Sequence, residues 1–109
     1  MANQSTVDGV FSALSDPTRR AVVRRLGGGP ATVTHLATPF DMRLPSFLKH
    51  LRVLEDSGII RTRKQGRTRT CMLRPESLEI ASAWLETQRQ SWEANTDRLE
   101  VFVTKEHQS

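Results

Sequence analysis

The chain has 109 residues and carries 16 lysines and arginines against 12 acidic residues, which leaves a net charge of only +4. This length suits one domain with a small hydrophobic core, and because only 37% of the residues are apolar, support from a partner subunit is expected. The single cysteine, Cys71, excludes an internal disulfide and a cysteine-based zinc cluster. The sequence shows neither a membrane-spanning apolar stretch nor a signal peptide, so a cytoplasmic protein is predicted.

The net charge is distributed unevenly along the chain. Residues 1–42 carry +1, residues 43–74 carry +7 from nine basic and two acidic residues, and residues 75–109 carry −4. A strongly basic segment favours contact with a polyanion such as nucleic acid. The other interpretation, a merely solvated basic surface, is less favoured here but is not excluded by charge alone.

Two helices are predicted in the first part of the chain. The first, over about 5–15, is indicated by apolar side chains at helical spacing. These side chains belong to Val7, Val10, Phe11 and Leu14. Asp16 and Pro17 predict the start of the second helix, because aspartate is a good N-cap and proline fits the first helical position. The Gly-Gly-Gly-Pro run at 27–30 ends that helix.

Two further helices are predicted before residue 59. Thr32 is suited to cap a short third helix. A fourth helix is predicted from Leu44 to Ser57, with Gly58 as its stop. Its inward face is predicted to consist of Phe47, Leu51 and Leu54.

The sequence pattern changes after Gly58. Residues 59–64 and 68–73 are rich in β-branched side chains and alternate in polarity, which predicts a β-hairpin with a basic tip. Residues 76–103 predict one long helix, because they lack glycine and proline and place apolar side chains at heptad spacing. The first and last helices are expected to form a dimer interface. Its predicted residues are Val7, Val10, Phe11, Leu78, Leu85, Trp92, Leu99 and Phe102.

These elements predict a mainly α fold with a small β-hairpin, namely a winged helix-turn-helix of about five helices in a single domain over 1–109. The helix at 44–57 is the candidate recognition helix, because an α-helix fits the DNA major groove. The basic hairpin at 61–74 is a wing that would lie on the backbone or in the minor groove. The predicted DNA contacts are Arg43, Pro45, Ser46, Leu48, Lys49, Arg52, Arg63, Lys64, Arg67 and Arg69.

The predicted contacts differ in what they offer to DNA. Arg43 suits either a guanine edge or a phosphate, and the two roles are about equally favoured. Leu48 could touch a thymine methyl group, although an exposed leucine is also common on protein surfaces. The basic wing residues are expected to contact phosphates, so binding should weaken steeply with salt.

Three motifs occur in combination: LSDPTRR at 14–20, KHLRVLEDSGII at 49–60 and RKQGR at 63–67. Together they resemble the ArsR/SmtB family of winged-helix repressors, over about residues 7–103. The resemblance implies a helical homodimer with a β-wing, built on its first and last helices, that represses transcription at a palindromic operator.

The sequence also departs from the family pattern. Metal-sensing members carry a Cys-x-Cys run near residues 32–36, where this chain has no cysteine, or Asp and His pairs on the last helix, where the only histidine is His107. No metal site and no cofactor are therefore expected. The serine that usually faces DNA is replaced by Leu48, and Arg43 stands where a small capping residue is common. Both changes alter the base-reading face.

The favoured function is a homodimeric, sequence-specific regulator of transcription, most readily a repressor, that binds double-stranded DNA. The alternative is a protein-interaction module or anti-regulator on the same scaffold, which an exposed Leu48 would suit. An enzyme is not expected, because the sequence has neither a Ser-His-Asp set nor a glycine loop at a strand-to-helix junction. An organic effector, oxidation of Cys71 or no effector at all remain open as means of control.

Overall fold

The computed structural model describes the backbone of residues 2–108 and the side chains of residues 6–96. The elements in chain order are α1 (Ala2–Ala13), α2 (Pro17–Leu26), β1 (Ala31–Thr32), α3 (Val33–Ala37), α4 (Leu44–Asp56), β2 (Ile60–Gln65), β3 (Thr68–Leu73) and α5 (Pro75–Gln108). The five helices and the hairpin confirm the predicted winged helix-turn-helix.

The helix starts follow the predicted capping residues. A carboxylate oxygen of Asp16 accepts a hydrogen bond from the backbone N–H of Arg19 at 3.0 Å, and this bond lowers the pKa of Asp16. The hydroxyl of Thr32 accepts from the backbone N–H of His35 at 3.2 Å. Arg43 is the N-cap residue of α4 but makes no side-chain capping bond, so its guanidinium is not engaged at the helix end.

The hydrophobic core lies between the helices and one face of the sheet. Its largest fully buried side chains are Phe47, Leu54, Ile59, Ile60, Val10, Val22 and Cys71. The predicted inward face of α4 is confirmed, because Phe47, Leu51 and Leu54 are all buried. Among the described residues no polar or charged residue is fully buried, so this core is stabilised by apolar burial and packing.

A third strand, which the sequence did not predict, extends the hairpin. β1 pairs antiparallel with β3, so that Ala31 lies opposite Cys71, and the strand order is β1-β3-β2. β3 is therefore the central strand of the sheet, which accounts for the complete burial of Cys71. Two residues are too few to show an alternating pattern, and the pairing partner is far along the chain.

α5 reaches beyond the rest of the molecule. Its 34 residues span about 51 Å at 1.5 Å per residue, and the molecule measures 75 × 30 × 22 Å. Near its start α5 packs on α1, where the rings of Phe11 and Trp84 meet edge to face at 5.7 Å between centroids. Further along, Leu85 is 51% exposed and Trp92 is 72% exposed. None of the helices described is long and apolar enough to cross a membrane.

The predicted dimer-interface residues fall into three groups. Val7 and Val10 are buried core residues of their own chain, which leaves them little surface for a partner. Leu78 is half-buried against the same core, which leaves it little surface for a partner. Phe11, Leu85 and Trp92 are exposed. Leu99 and Phe102 lie outside the described side chains.

Gly58 connects α4 to the hairpin through a conformation that favours glycine. Its φ is +77°, and a Cβ at this position would lie 2.7 Å from the Oγ of Ser77 on α5. Gly66, in the hairpin turn, has a φ of +60°, but a Cβ there would meet no atom within 4 Å. The two glycines thus share a left-handed backbone and differ in the space around them.

Gly58→Ala is expected to lower the free energy of unfolding by about 2 kcal/mol, and Gly66→Ala by about 1 kcal/mol, because only the first adds a steric conflict to the left-handed backbone. Urea unfolding at one fixed protein concentration measures both values. Ser77→Ala in the Gly58→Ala background should recover part of the difference, since it removes the conflicting oxygen. Equal losses for the two glycine variants would show that the contact with Ser77 is unimportant.

Candidate nucleic-acid interface

Besides Ser46, Val53, Glu55 and Asp56, helix α4 has five exposed residues, which we call the outer strip. They are Leu44, Pro45, Leu48, Lys49 and Arg52. Burial of Phe47, Leu51 and Leu54 against the core sets the rotation of the helix and therefore determines which residues face outward. The outer strip is apolar over the first turn and basic over the second, with no acidic residue among its members.

The hairpin carries basic residues on both faces. Residues directly opposite in an antiparallel pair share a face. Ile60, opposite Leu73, and Cys71, opposite Thr62, are both buried and mark the inner face. Lys64 lies opposite Arg69 on this inner face, whereas Arg63 pairs with Thr70 on the outer face. A hairpin with cations on both sides can approach phosphates on either side of it.

A groove of about 380 Å³ separates α4 from the hairpin. Most of the outer strip forms one wall, and Thr62 and Arg69 contribute the other. A second depression, of about 340 Å³, lies between the start of α3 and the hairpin turn and is lined by Leu48, Arg67 and Arg69 together with threonines. Leu48 and Arg69 border both spaces, so they stand at the junction of recognition helix and wing.

The basic residues of this surface are not neutralised by neighbours. The salt bridges of the described side chains join Arg89 to two glutamates of α5, and none involves a lysine or arginine of residues 43–74. Cations that lack carboxylate partners keep their positive field available to a polyanion. The positive charge of residues 43–74 is therefore left without carboxylate partners among the described side chains.

One hydrogen bond ties the wing to the recognition helix. The hydroxyl of Thr62 in β2 donates to a carboxylate oxygen of Glu55 in α4 at 2.6 Å. Glu55 is one of only two acidic residues in the 43–74 segment. Its position explains an acid on a basic surface, because the carboxylate links α4 to the hairpin.

A second connection joins the recognition helix to α1 and α2. The Arg19 guanidinium donates to the backbone carbonyl of Ala13 at 2.6 Å and to Nδ1 of His50 in α4 at 3.1 Å. The same His50 nitrogen lies 3.7 Å from a carboxylate oxygen of Asp16. Arg19 thus contacts the end of α1 and the middle of α4 at once, and it restrains the recognition helix from behind.

All ten predicted DNA-contact residues are exposed. The structure brings Pro45, Leu48, Lys49 and Arg52 together with Arg69 around one groove, and adds Arg67 at the second depression. Arg43, Ser46, Arg63 and Lys64 lie outside both linings. The sequence did not predict that four further residues line these two spaces, namely Thr62, Glu55, Thr32 and Thr34. The available signal for Glu55 was its negative charge within a basic segment.

The remaining candidates for chemistry are the single cysteine and a metal site. Cys71 is fully buried, and burial raises the pKa of its thiol, which disfavours the reactive thiolate. Among the residues that the structure describes, no three His, Cys, Asp or Glu side chains come close enough together to hold a metal ion.

The chain is similar to known regulators. A helix-turn-helix domain family matches residues 14–63, which include α2, α3 and α4. The HTH-type transcriptional regulator Rv2034 of Mycobacterium tuberculosis is 36% identical over 78 residues, covering 72% of this chain and 73% of that protein. The transcriptional repressor SdpR of Bacillus subtilis is 32% identical over 79 residues, covering 72% of this chain and 88% of that protein.

Solved structures extend the likeness to nearly the whole fold. A crystal structure of an ArsR family transcriptional regulator is 59% identical, superposes with a TM-score of 0.78, and covers 81% of this chain and 91% of its own. The matched domain, the curated relatives and this structure agree on a DNA-binding regulator rather than an enzyme. The chain therefore belongs to the ArsR family of winged helix-turn-helix transcriptional regulators.

Proposed function

We propose that the chain is a homodimeric repressor that binds a two-fold-symmetric site on double-stranded DNA in the cytoplasm. Each subunit is a single winged-helix domain over residues 1–109, with α4 in the major groove and the wing on the backbone or in the minor groove. The two subunits meet through α1 and α5.

The observation that carries the proposal is the joint surface of α4 and the hairpin. It combines an exposed helix face, cations on both sides of the hairpin and a groove between them, without a carboxylate partner for any of its cations among the described side chains. An α-helix fits the major groove, and cations on a flanking hairpin displace counterions from phosphates. The geometry therefore supports simultaneous contact with bases and backbone.

Dimerisation is supported by the apolar surface of α5. Leu85 and Trp92 lie one heptad apart, and Trp92 is 72% exposed on a helix that extends beyond its own core. Large exposed aromatic side chains at heptad spacing are typical of a helix that packs against a second helix. Repression is proposed because SdpR, a relative, is named a repressor, and a dimer seated on a promoter excludes other proteins from it.

The proposal is tested by footprinting the purified protein on the DNA upstream of its own gene. A protected site with two-fold symmetry is expected, with half-sites about 34–36 Å apart, because two recognition helices then enter successive turns of one major groove. Binding to this site should exceed binding to random DNA by a factor of about a thousand or more at 0.15 M salt. Equal binding to both DNAs under these conditions would refute sequence-specific regulation.

A further inference from the structure

The first turn of α4 presents an apolar patch on an otherwise basic surface. Leu44 is 53% exposed and Leu48 is 38% exposed, and their spacing of four residues places them on the same face of the helix. Pro45, between them in sequence, is exposed as well. Arg43 precedes the patch and Lys49 follows it, so a polyanion drawn to these cations would bring its nearest groups against the leucines.

The hydrogen-bonding side chains of this face, such as those of Arg43 and Lys49, suit guanine rather than adenine or cytosine. Bidentate recognition of adenine uses asparagine or glutamine, and recognition of cytosine uses a carboxylate. None of these residue types occurs between Arg43 and Arg52. The first turn otherwise presents apolar surface. The major groove contains one apolar group that varies with sequence, the 5-methyl group of thymine.

We propose that Leu44 and Leu48 read thymine methyl groups, and that these contacts determine much of the sequence preference of the protein. The inference rests on the proposed function, because it requires α4 to lie in the major groove. Thymine 5-methyl groups are the groups that contact this patch, because the flanking cations favour binding of DNA and the leucines favour thymine among its bases.

The geometry limits where the thymines lie. Residues four apart in a helix are separated by about 6 Å along its axis, whereas neighbouring base pairs are separated by about 3.4 Å. Leu44 and Leu48 therefore face methyl groups one or two base steps apart within a half-site. Leu48 also borders the groove that contains Arg69. The thymine that Leu48 contacts therefore lies beside the phosphate that the wing contacts.

The test begins with sites selected from random duplexes by the wild-type protein. Uracil is then substituted for each thymine in the selected site, which removes only the methyl group. Each contacted methyl group should be worth about a fourfold change in Kd, as expected for burying one carbon. Replacing all four contacted thymines, two in each half-site, should weaken binding by about 250-fold, because the contributions of separate contacts add in free energy.

The variant Leu44→Ala/Leu48→Ala should bind the thymine and uracil sites almost equally. Its fold should be unchanged, because both side chains lie on the surface, and circular dichroism checks this. Val53→Ala is the matched control: Val53 is 37% exposed on the same helix but lines neither groove, so this variant should discriminate thymine from uracil as the wild type does.

The outcomes separate this inference from the proposed function. Specific binding that is insensitive to uracil, or equal sensitivity in the double variant, would overturn the reading of methyl groups by the leucines and leave specific regulation intact. Failure to select any site would overturn both, because the leucines would then have no bases to read. Loss of thymine discrimination in the double variant alone would establish the contact.

Discussion

Replacing Leu85 and Trp92 by alanine is expected to raise the dissociation constant of the dimer by about a thousandfold or more. A tryptophan at the centre of an interface contributes about 2 kcal/mol or more, and two-fold symmetry makes each substitution count twice, so the loss of Trp92 alone accounts for about a thousandfold. Trp92 is 72% exposed in the single chain and Leu85 is 51% exposed, so both have surface available for a partner. Sedimentation velocity over a range of concentrations measures the shift.

The control for this experiment is Gln90→Ala. Gln90 is exposed on the same helix but lies well away from the Leu85 and Trp92 face, and its side chain makes only a long hydrogen bond of 3.4 Å to Glu86. This variant should remain dimeric. A Leu85→Ala/Trp92→Ala variant that dimerises as tightly as the wild type would place the interface elsewhere, and circular dichroism shows whether the variant is folded.

Replacing Arg67 and Arg69 by alanine is expected to weaken DNA binding by about 30-fold at 0.15 M salt and to reduce the slope of log K against log salt by about 2 per subunit. Both arginines are exposed, and both line the depression beside the recognition helix. Because phosphate contacts are independent of sequence, binding to specific and random DNA should weaken by a similar factor. Fluorescence anisotropy over a series of salt concentrations measures both quantities.

Arg24→Ala/Arg25→Ala provides the matched control for the wing variant. These arginines are also exposed and neighbouring, but they lie on α2, outside the basic surface of α4 and the hairpin. The control changes the net charge equally and should leave the salt slope nearly unchanged. Equal loss in the two variants would mean that only total charge matters, and no loss in either would favour the alternative of a protein-interaction module.

The helices could be predicted because their signals are local. Asp16, Pro17 and Thr32 start helices through atoms within three residues of themselves, and the apolar spacing in α4 reports which face is buried. The hairpin was predicted for the same reason, since alternation and a glycine turn lie within one short segment. β1 was not predicted, because it exists only through pairing with a distant strand.

One part of the candidate site could likewise be predicted from the sequence, and another part could not. Its exposed cations and leucines follow from the rotation of α4 and the alternation in the hairpin, which the sequence pattern predicts. The bond from Thr62 to Glu55 and the contacts of Arg19 with Ala13 and His50 were not predictable, because each joins elements whose relative placement is set by packing. The burial of Val7 and Val10 within their own chain is likewise set by packing.

The sequence alone shows that a net charge of +4 is concentrated as +7 in residues 43–74, on a helix and a hairpin suited to DNA. It also predicts the capping residues of α2 and α3 and the inward face of α4, because these depend on neighbours in the chain. Tertiary packing settles which apolar residues of α1 and α5 are buried in the core and which stay exposed, since one helical stripe can serve either purpose. It also brings Leu48 and Arg69 to the same two spaces, because their relative position depends on how the sheet packs against α4.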